Sequence, residues 1–222
     1  MTKCFAMYKF GLLPLVLMTL ISCKMDTSID LYLGDVDEAM SKSNTIFTSG
    51  ILSVNITSQD ECIKNKDRIL NIVSKYVDVV EIQGCHDRDL DSYLDFSVRY
   101  PVSTNLTNDL IQLQLIQLEN NIVDVQYVLN RRKFNSLNAE VSREFSSDID
   151  LEDSTILLNV INDLRSNKLV FVNAAFVNGM PAVNDTREIR RRDRLKIRFS
   201  DVHSSSVSIK DRVDLVQIAN MN

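Results

Sequence analysis

The sequence predicts an α+β domain, in which a mostly antiparallel β-sheet carries one main amphipathic helix near its amino-terminal part and is tied by one disulfide. Three observations support this. Apolar and polar residues alternate over much of the chain, one segment has helical spacing instead, and a pair of cysteines flanks most of that segment. With 222 residues, 45% apolar and 25% charged, the chain has globular composition, which excludes a disordered protein.

The segment with helical spacing runs over residues 59–76. Its apolar residues recur at i, i+3, i+4 and i+7, which puts them on one helix face: Ile69, Ile72, Val73 and Tyr76. Ser58, followed three residues later by Glu61, has the form of a capping box and predicts where the helix begins. A shorter polar stretch over 35–44 has room for one or two helical turns.

The remaining elements are predicted as strands, from alternation or from short apolar runs. The expected strands cover residues 29–33, 51–58, 79–82, 94–100, 110–118, 122–129, 137–145, 156–160, 169–177, a segment from 181 onward, 195–199 and 213–218. Asn178-Gly179 is a strong hairpin signal, because both turn positions need a positive φ. The polar segment around His203 is expected to be a loop.

The amino terminus differs from the rest of the chain. Lys3 and Lys9 give it a positive start, and Phe10 to Ile21 is an uncharged apolar run. As a helix this run would span about 18 Å, which is short of the ~30 Å hydrocarbon core of a bilayer. It is therefore typical of an export signal rather than of a membrane-spanning helix. Met7 is an alternative to Met1 as the start residue.

The run ends in Leu20-Ile21-Ser22-Cys23, which resembles the lipobox of bacterial lipoproteins. In that family the cysteine thiol receives a diacylglycerol and its amine a third acyl chain, so the resemblance implies that Cys23 is the lipidated first residue of the mature protein. Three chains would anchor it stably in a membrane. The family's sorting rule retains proteins with Asp after the cysteine in the inner membrane, so Lys24 favours the outer membrane. An ordinary secretory signal is the alternative.

These boundaries define the predicted organisation: a signal peptide over 1–22, a short polar tether over 23–27 and one domain over 28–222, with a subdivision near 103–109 as an alternative. Cys62 and Cys85 are the only cysteine pair of the mature part, and in an exported chain they predict a disulfide. It would stabilise the fold by roughly 3 kcal/mol. A metal site is the rival interpretation, although the paired spacing of zinc ribbons is absent.

Further segments resemble a family of uncharacterised lipoproteins from Gram-negative bacteria and their prophages. The segments that carry this likeness are Lys24 to Thr27, Cys62 with the helix after it, Val77 to Glu81, Cys85, Tyr100-Pro101-Val102, Ala174 to Pro181 and Leu195 to Arg198. The resemblance implies a lipoprotein with two cysteines and no assigned activity. A prophage-encoded member could modify the host surface against further infection.

Candidate catalytic and metal groups are weak. One acidic group has the alternate spacing of a calcium loop: His86, Asp87, Asp89, Asp91 and Asp95. Ser92 and Val98, however, occupy the positions that need Gly and Glu, so the group is interpreted as a solvated loop. His203 adjoins three serines, but neighbours in sequence seldom form a catalytic triad. The sequence therefore predicts no catalytic residue, no metal and no cofactor.

The carboxy-terminal part contains an unusual basic run, namely Arg187, Arg190, Arg191, Arg192, Arg194, Lys196 and Arg198. The apolar residues between them predict a hairpin with its charges outward. This face is either simply solvated or binds an anionic surface, such as lipid headgroups, lipopolysaccharide phosphates or an acidic envelope protein. A net charge of −5 and an exported location argue against nucleic acid.

Together these features predict a membrane-anchored envelope lipoprotein that binds another envelope component and is not an enzyme. The alternative is a periplasmic envelope hydrolase, which would need a pocket that holds His203 or His86 near a nucleophile.

Overall fold

The computed structural model describes residues 23–88, 91–152, 154–199 and 201–220, so the predicted signal peptide lies outside the described residues. Within them are four α-helices: α1 Leu33–Lys42, α2 Gln59–Val73, α3 Arg131–Phe145 and α4 Asp201–Lys210. No helix in these ranges is long and apolar enough to cross a membrane.

Fourteen strands make up most of the described chain. They are β1 Cys23–Tyr32, β2 Ile46–Ile56, β3 Asp78–Arg88, β4 Asp91–Ser103, β5 Ile111–Gln117, β6 Ile122–Leu129, β7 Ile149–Asp150, β8 Ile156–Ile161, β9 Lys168–Val172, β10 Ala175–Val177, β11 Met180–Ala182, β12 Asp185–Ile189, β13 Arg194–Phe199 and β14 Arg212–Asn220. The predicted α+β class with a mostly antiparallel sheet is confirmed, since only β1–β7, β1–β8 and β4–β5 pair in parallel.

The strands form one sheet in the order β11-β10-β13-β8-β1-β2-β4-β5-β6-β14-β9-β12, with β3 beside β4 and β7 beside β1. Two links show that this sheet rolls up. Asn173 and Ala174 alone join β9 to β10, and Val183 and Asn184 alone join β11 to β12, although each link connects opposite ends of the order. Two residues span at most about 11 Å, so the two ends of the sheet meet in space.

The disulfide prediction is confirmed, and so is the main helix. Cys62 in the first turn of α2 is bonded to Cys85 in β3, with their Cα atoms 6.1 Å apart. The Glu61 backbone N–H donates to the Ser58 side chain 3.3 Å away, which caps α2 at its predicted start. The Asn178-Gly179 hairpin also forms, with φ values of 49° and 83°.

The predicted tether is wrong, because residues 24–27 lie inside β1. Met25 and Thr27 are buried, and β1 is paired on both sides, with β2 on one and with β7 and β8 on the other. Lys24 and Asp26 alternate with these inward residues, so the period-two pattern is present. This pattern is weak in the sequence, because Met25 is the only strongly apolar residue among residues 24–27.

The helix count was underestimated. Residues 137–145, expected as a strand, belong to α3: Leu137, Val141 and Phe145 are four residues apart, which is helical spacing. The Asn130 side chain accepts a hydrogen bond from the Lys133 backbone N–H and caps this helix. The segment around His203, expected as a loop, is α4.

Candidate functional site

Cys23 is part of the folded body, as the first residue of β1. Its backbone N–H donates to the Asp148 carbonyl 2.8 Å away, and it pairs with Ile149 of β7. Its Sγ lies 3.3 Å from the Ser147 hydroxyl. The thiol is unbonded to another cysteine, and the residue is half-buried. Any group attached to this sulfur would therefore lie directly against the protein.

A cavity of about 610 Å³ opens beside Cys23, between helices α2 and α3 and the sheet. Its walls are mostly apolar. The sheet contributes Met25, Leu52 and Val54, α2 contributes Ile69, Ile72 and Val73, and α3 contributes Leu137, Val141 and Phe145. Such a volume lies within the range of about 300–1,000 Å³ that is usual for ligand pockets.

The polar lining of this cavity comes from a few residues near the ends of the surrounding elements. On one side these are Ser146, Ser147 and Asp148, which follow α3 beside Cys23. On the other side Glu61 accepts hydrogen bonds from the side chains of Lys64 and Asn65, at 3.1 and 2.8 Å. The site thus combines mostly apolar walls with a polar lining that also includes Asn55, Thr57 and Asn65.

The two helices over the cavity are joined by exposed polar contacts. Arg68 of α2 pairs with Glu144 of α3. Lys75 and Tyr76, just after α2, both donate to Glu140 of α3, at 2.6 and 2.8 Å. These hydrogen bonds stabilise the ionised carboxyl and lower the pKa of Glu140. Exposed pairs contribute at most about 1 kcal/mol each, so they hold the helices together only weakly.

The disulfide fixes one end of this cavity wall. Cys62 is fully buried, and its bond to Cys85 ties the start of α2 to β3. The apolar α2 side chains that line the cavity, Ile69, Ile72 and Val73, lie further along the same helix.

The basic run lies on β12, β13 and the turn between them, and all seven of its side chains are exposed. The apolar residues expected to point inward are buried, namely Ile189, Leu195, Ile197 and Phe199. Arg187 pairs with Asp185, and Arg190 with Glu188. In the described part of the chain the other five basic groups have no carboxylate within ion-pair distance, although Arg198 lies over the Phe176 ring.

Asn162 is fully buried and hydrogen-bonds to the turn at 190–193 and to the residue before it. The Asn162 amide donates to the carbonyls of Ser166 and Ile189, both at 2.9 Å, and its side-chain oxygen accepts from the Leu164 N–H. Its backbone carbonyl accepts from the Arg192 N–H. Sequence reasoning did not single out Asn162, because nothing local marks one asparagine in a polar stretch as buried.

Cys23 and the basic turn lie at opposite ends of β1. Tyr32, the last residue of β1, pairs with Ile161 of β8, and Ile161 pairs with Arg194 at the start of β13. The turn at 190–193 precedes Arg194 at this end. Tyr32 lies nine residue steps along the strand from Cys23, which corresponds to about 30 Å. We call these regions the Cys23 end and the basic end.

The acidic group predicted as a solvated loop instead flanks the β3–β4 hairpin, where Arg88 pairs with Asp95 and the Ser92 hydroxyl donates to Asp87 at 2.7 Å. Asp89 lies outside the described residues. His86 is exposed on β3. Within the described ranges, no group of His, Cys, Asp or Glu residues is placed to hold a metal ion.

His203 lines a second cavity of about 380 Å³, together with Asp124 and Asp214. Burial lowers the pKa of His203, and the charge of Asp214 partly opposes this. Thr186 is the one hydroxyl-bearing residue among the described residues that line this cavity, and neither Ser nor Cys is among them.

Comparison with known proteins adds one finding. No curated protein and no solved structure matches the chain. One family model matches residues 25–213, from the third residue of β1 to the start of β14, and its description is a domain of unknown function, DUF7424. Since this match spans most of the sequence, the chain belongs to the DUF7424 family.

Proposed function

We propose that the protein is an envelope lipoprotein, anchored to a membrane by lipid on Cys23, whose role is to bind another envelope component. The observation that carries the proposal is the position of Cys23. It ends a lipobox-like sequence and begins the first strand of the folded body, where its thiol is half-buried rather than sealed in the core. Lys24 favours the outer membrane as the destination.

The position of Cys23 also sets the orientation. Because β1 begins at this residue, no tether separates the lipid from the body, and the Cys23 end faces the bilayer. The basic end is then about 30 Å away along β1, whereas charges are screened over about 8 Å at physiological ionic strength. Headgroups of the anchoring membrane are therefore out of reach, and an acidic envelope protein is the better partner for the basic run.

The enzymatic alternative has less support. An envelope hydrolase that works by covalent catalysis with His203 as the base would need a side-chain nucleophile beside it, most often Ser or Cys. The described lining of the cavity around His203 supplies carboxylates and Thr186 but neither Ser nor Cys. We therefore propose a binding function rather than hydrolysis.

The anchor is tested by metabolic labelling with a radioactive fatty acid. We expect label on the parent protein and none on Cys23→Ala, which would stay unprocessed or become soluble. The matched control is the double variant Cys62→Ala/Cys85→Ala, which also loses cysteines and should keep the label. Equal labelling of the parent and Cys23→Ala would refute the lipid anchor.

The partner surface is tested by crosslinking in intact cells. Replacing Arg190, Arg191 and Arg192 with Ser should remove crosslinks to acidic envelope proteins and leave the fold intact, because all three side chains are exposed. Lys64→Ser/Lys66→Ser removes exposed charge from α2 instead and is the control. Crosslinks that persist in the arginine variant and vanish in the lysine variant would place the contact at the wrong end.

A further inference from the structure

We propose that the cavity beside Cys23 holds one acyl chain of the lipid on Cys23 itself. This inference rests on the proposed lipid anchor. It goes further in assigning a ligand class, a long acyl chain, to the space enclosed by α2, α3 and the sheet.

Attachment geometry is the first argument. Cys23 is itself a lining residue of the cavity, so a chain bonded to its sulfur begins beside the space it would fill. Entry is then intramolecular, and the effective concentration of the chain at the cavity is far above that of any free lipid. The neighbouring Ser147 hydroxyl, 3.3 Å from Sγ, is placed to hydrogen-bond the polar linkage between the chain and the protein.

The chemistry of the walls is the second argument. Ile69 and Ile72 of α2 and Leu137 and Val141 of α3 all line the cavity, and most of its wall surface is apolar. An open cleft of about 610 Å³ with mostly apolar walls exposes hydrophobic surface to water, and covering such surface favours an apolar occupant. Water is a poor occupant of apolar walls, since each molecule needs polar partners. A flexible hydrocarbon chain meets both requirements.

Anchoring remains possible with one chain withdrawn. Two acyl chains are enough for stable membrane attachment, so a triacylated Cys23 can keep two chains in the bilayer and place the third in the protein. This arrangement would also fix the body against the membrane at the Cys23 end, because the lipid would have one acyl chain in the protein and two in the bilayer.

The test uses a fluorescent fatty acid, cis-parinaric acid, and residues 23–222 produced without the leader and with Cys23→Ser. This chain contains every described element. We expect it to bind about one equivalent of the probe. Val141→Trp, which fills the cavity from α3, should weaken binding at least tenfold, whereas Asn135→Trp on the exposed side of the same helix should not. Thermal melting checks that both variants fold.

The lipidated full protein, purified from cells, supplies the second arm. Its own chain should occupy the cavity, so probe uptake should be at least tenfold lower than in the Cys23→Ser chain. Equal uptake would overturn the proposal and make the cavity a site for a lipid from elsewhere. Lack of binding to the Cys23→Ser chain, or equal binding to the Val141→Trp variant, would also overturn it. Mass spectrometry of the same lipidated sample tests the anchor separately, because an unmodified Cys23 refutes the proposed function whatever the probe does.

Discussion

The two ends of β1 are built in contrasting ways. At the Cys23 end, apolar side chains surround an open space under helices that are linked on the outside by exposed ion pairs. At the basic end, the turn at 190–193 is tied to the buried Asn162 by hydrogen bonds, and the charges lie outside. The first arrangement suits an adaptable apolar ligand, and the second suits a rigid charged surface. One rolled sheet therefore connects two regions of opposite chemistry.

The largest expected effect concerns the rigid end. Asn162→Ala removes three hydrogen bonds made by a fully buried side chain, each of which contributes about 0.5–1.5 kcal/mol, and it leaves the buried Ile189 carbonyl without this partner. We expect a loss of about 3–4 kcal/mol in the free energy of unfolding, measured by urea denaturation. Asn167→Ala is the matched control, because the Asn167 side chain donates to the exposed Glu188 in the same part of the fold. Equal effects of the two changes would show that the turn does not depend on Asn162.

The next effect concerns the open end. Cys62→Ala/Cys85→Ala should lower the free energy of unfolding by about 3 kcal/mol, because the bridge restricts a loop of more than twenty residues in the unfolded chain. Hydrogen exchange should rise most in α2, which the bridge ties to β3, and least at 190–193. If hydrogen exchange instead accelerated equally along the whole chain, the two ends would not open independently of each other.

These elements also show which structural features can be predicted from the sequence and which cannot. The α2 stripe, the Asn178-Gly179 hairpin and the inward residues of β13 depend on spacing within one segment, and all three appear as expected. The disulfide is predicted from the single cysteine pair of the mature part and from the exported location that the leader sequence indicates. The apolar content of residues 137–145 predicts a strand, whereas their four-residue spacing is that of the helix they form.

The cavity could not be predicted, because it exists only where distant segments meet. Met25, Ile69 and Val141 line the same space although they are separated by tens of residues in the chain. Asn162 likewise depends on the backbone of a segment almost thirty residues away, around Ile189. The spacing of apolar residues within one segment does not indicate which distant segments pack against each other.

The smallest expected effect is a pH dependence of the contact between α2 and α3. Hydrogen bonds lower the pKa of Glu140 in the folded protein, so its stabilising effect is present above the ordinary carboxyl pKa and is lost as the pH falls through the lowered value. Glu140→Gln should remove this acid-dependent loss, which is below about 1 kcal/mol because the site is exposed. Urea midpoints between about pH 3 and 7 measure it.

Glu144→Gln on the same helix is the control for that measurement. It removes the ion pair with Arg68, and we expect it to leave more of the acid-dependent loss in place than Glu140→Gln does. If Glu140→Gln and the parent protein have the same pH profile, the Glu140 contact does not help to hold α3 against α2.

The orientation of the two ends can be measured directly. A fluorescent donor would be placed on Thr57→Cys at the Cys23 end or on Arg191→Cys at the basic end, both exposed positions, in lipidated protein inserted in vesicles with acceptor-labelled headgroups. We expect strong energy transfer from residue 57 and much weaker transfer from residue 191, because about 30 Å of strand separates the ends. Equal transfer from both positions, or stronger transfer from residue 191, would contradict an anchor at Cys23 with the basic end turned away from the membrane.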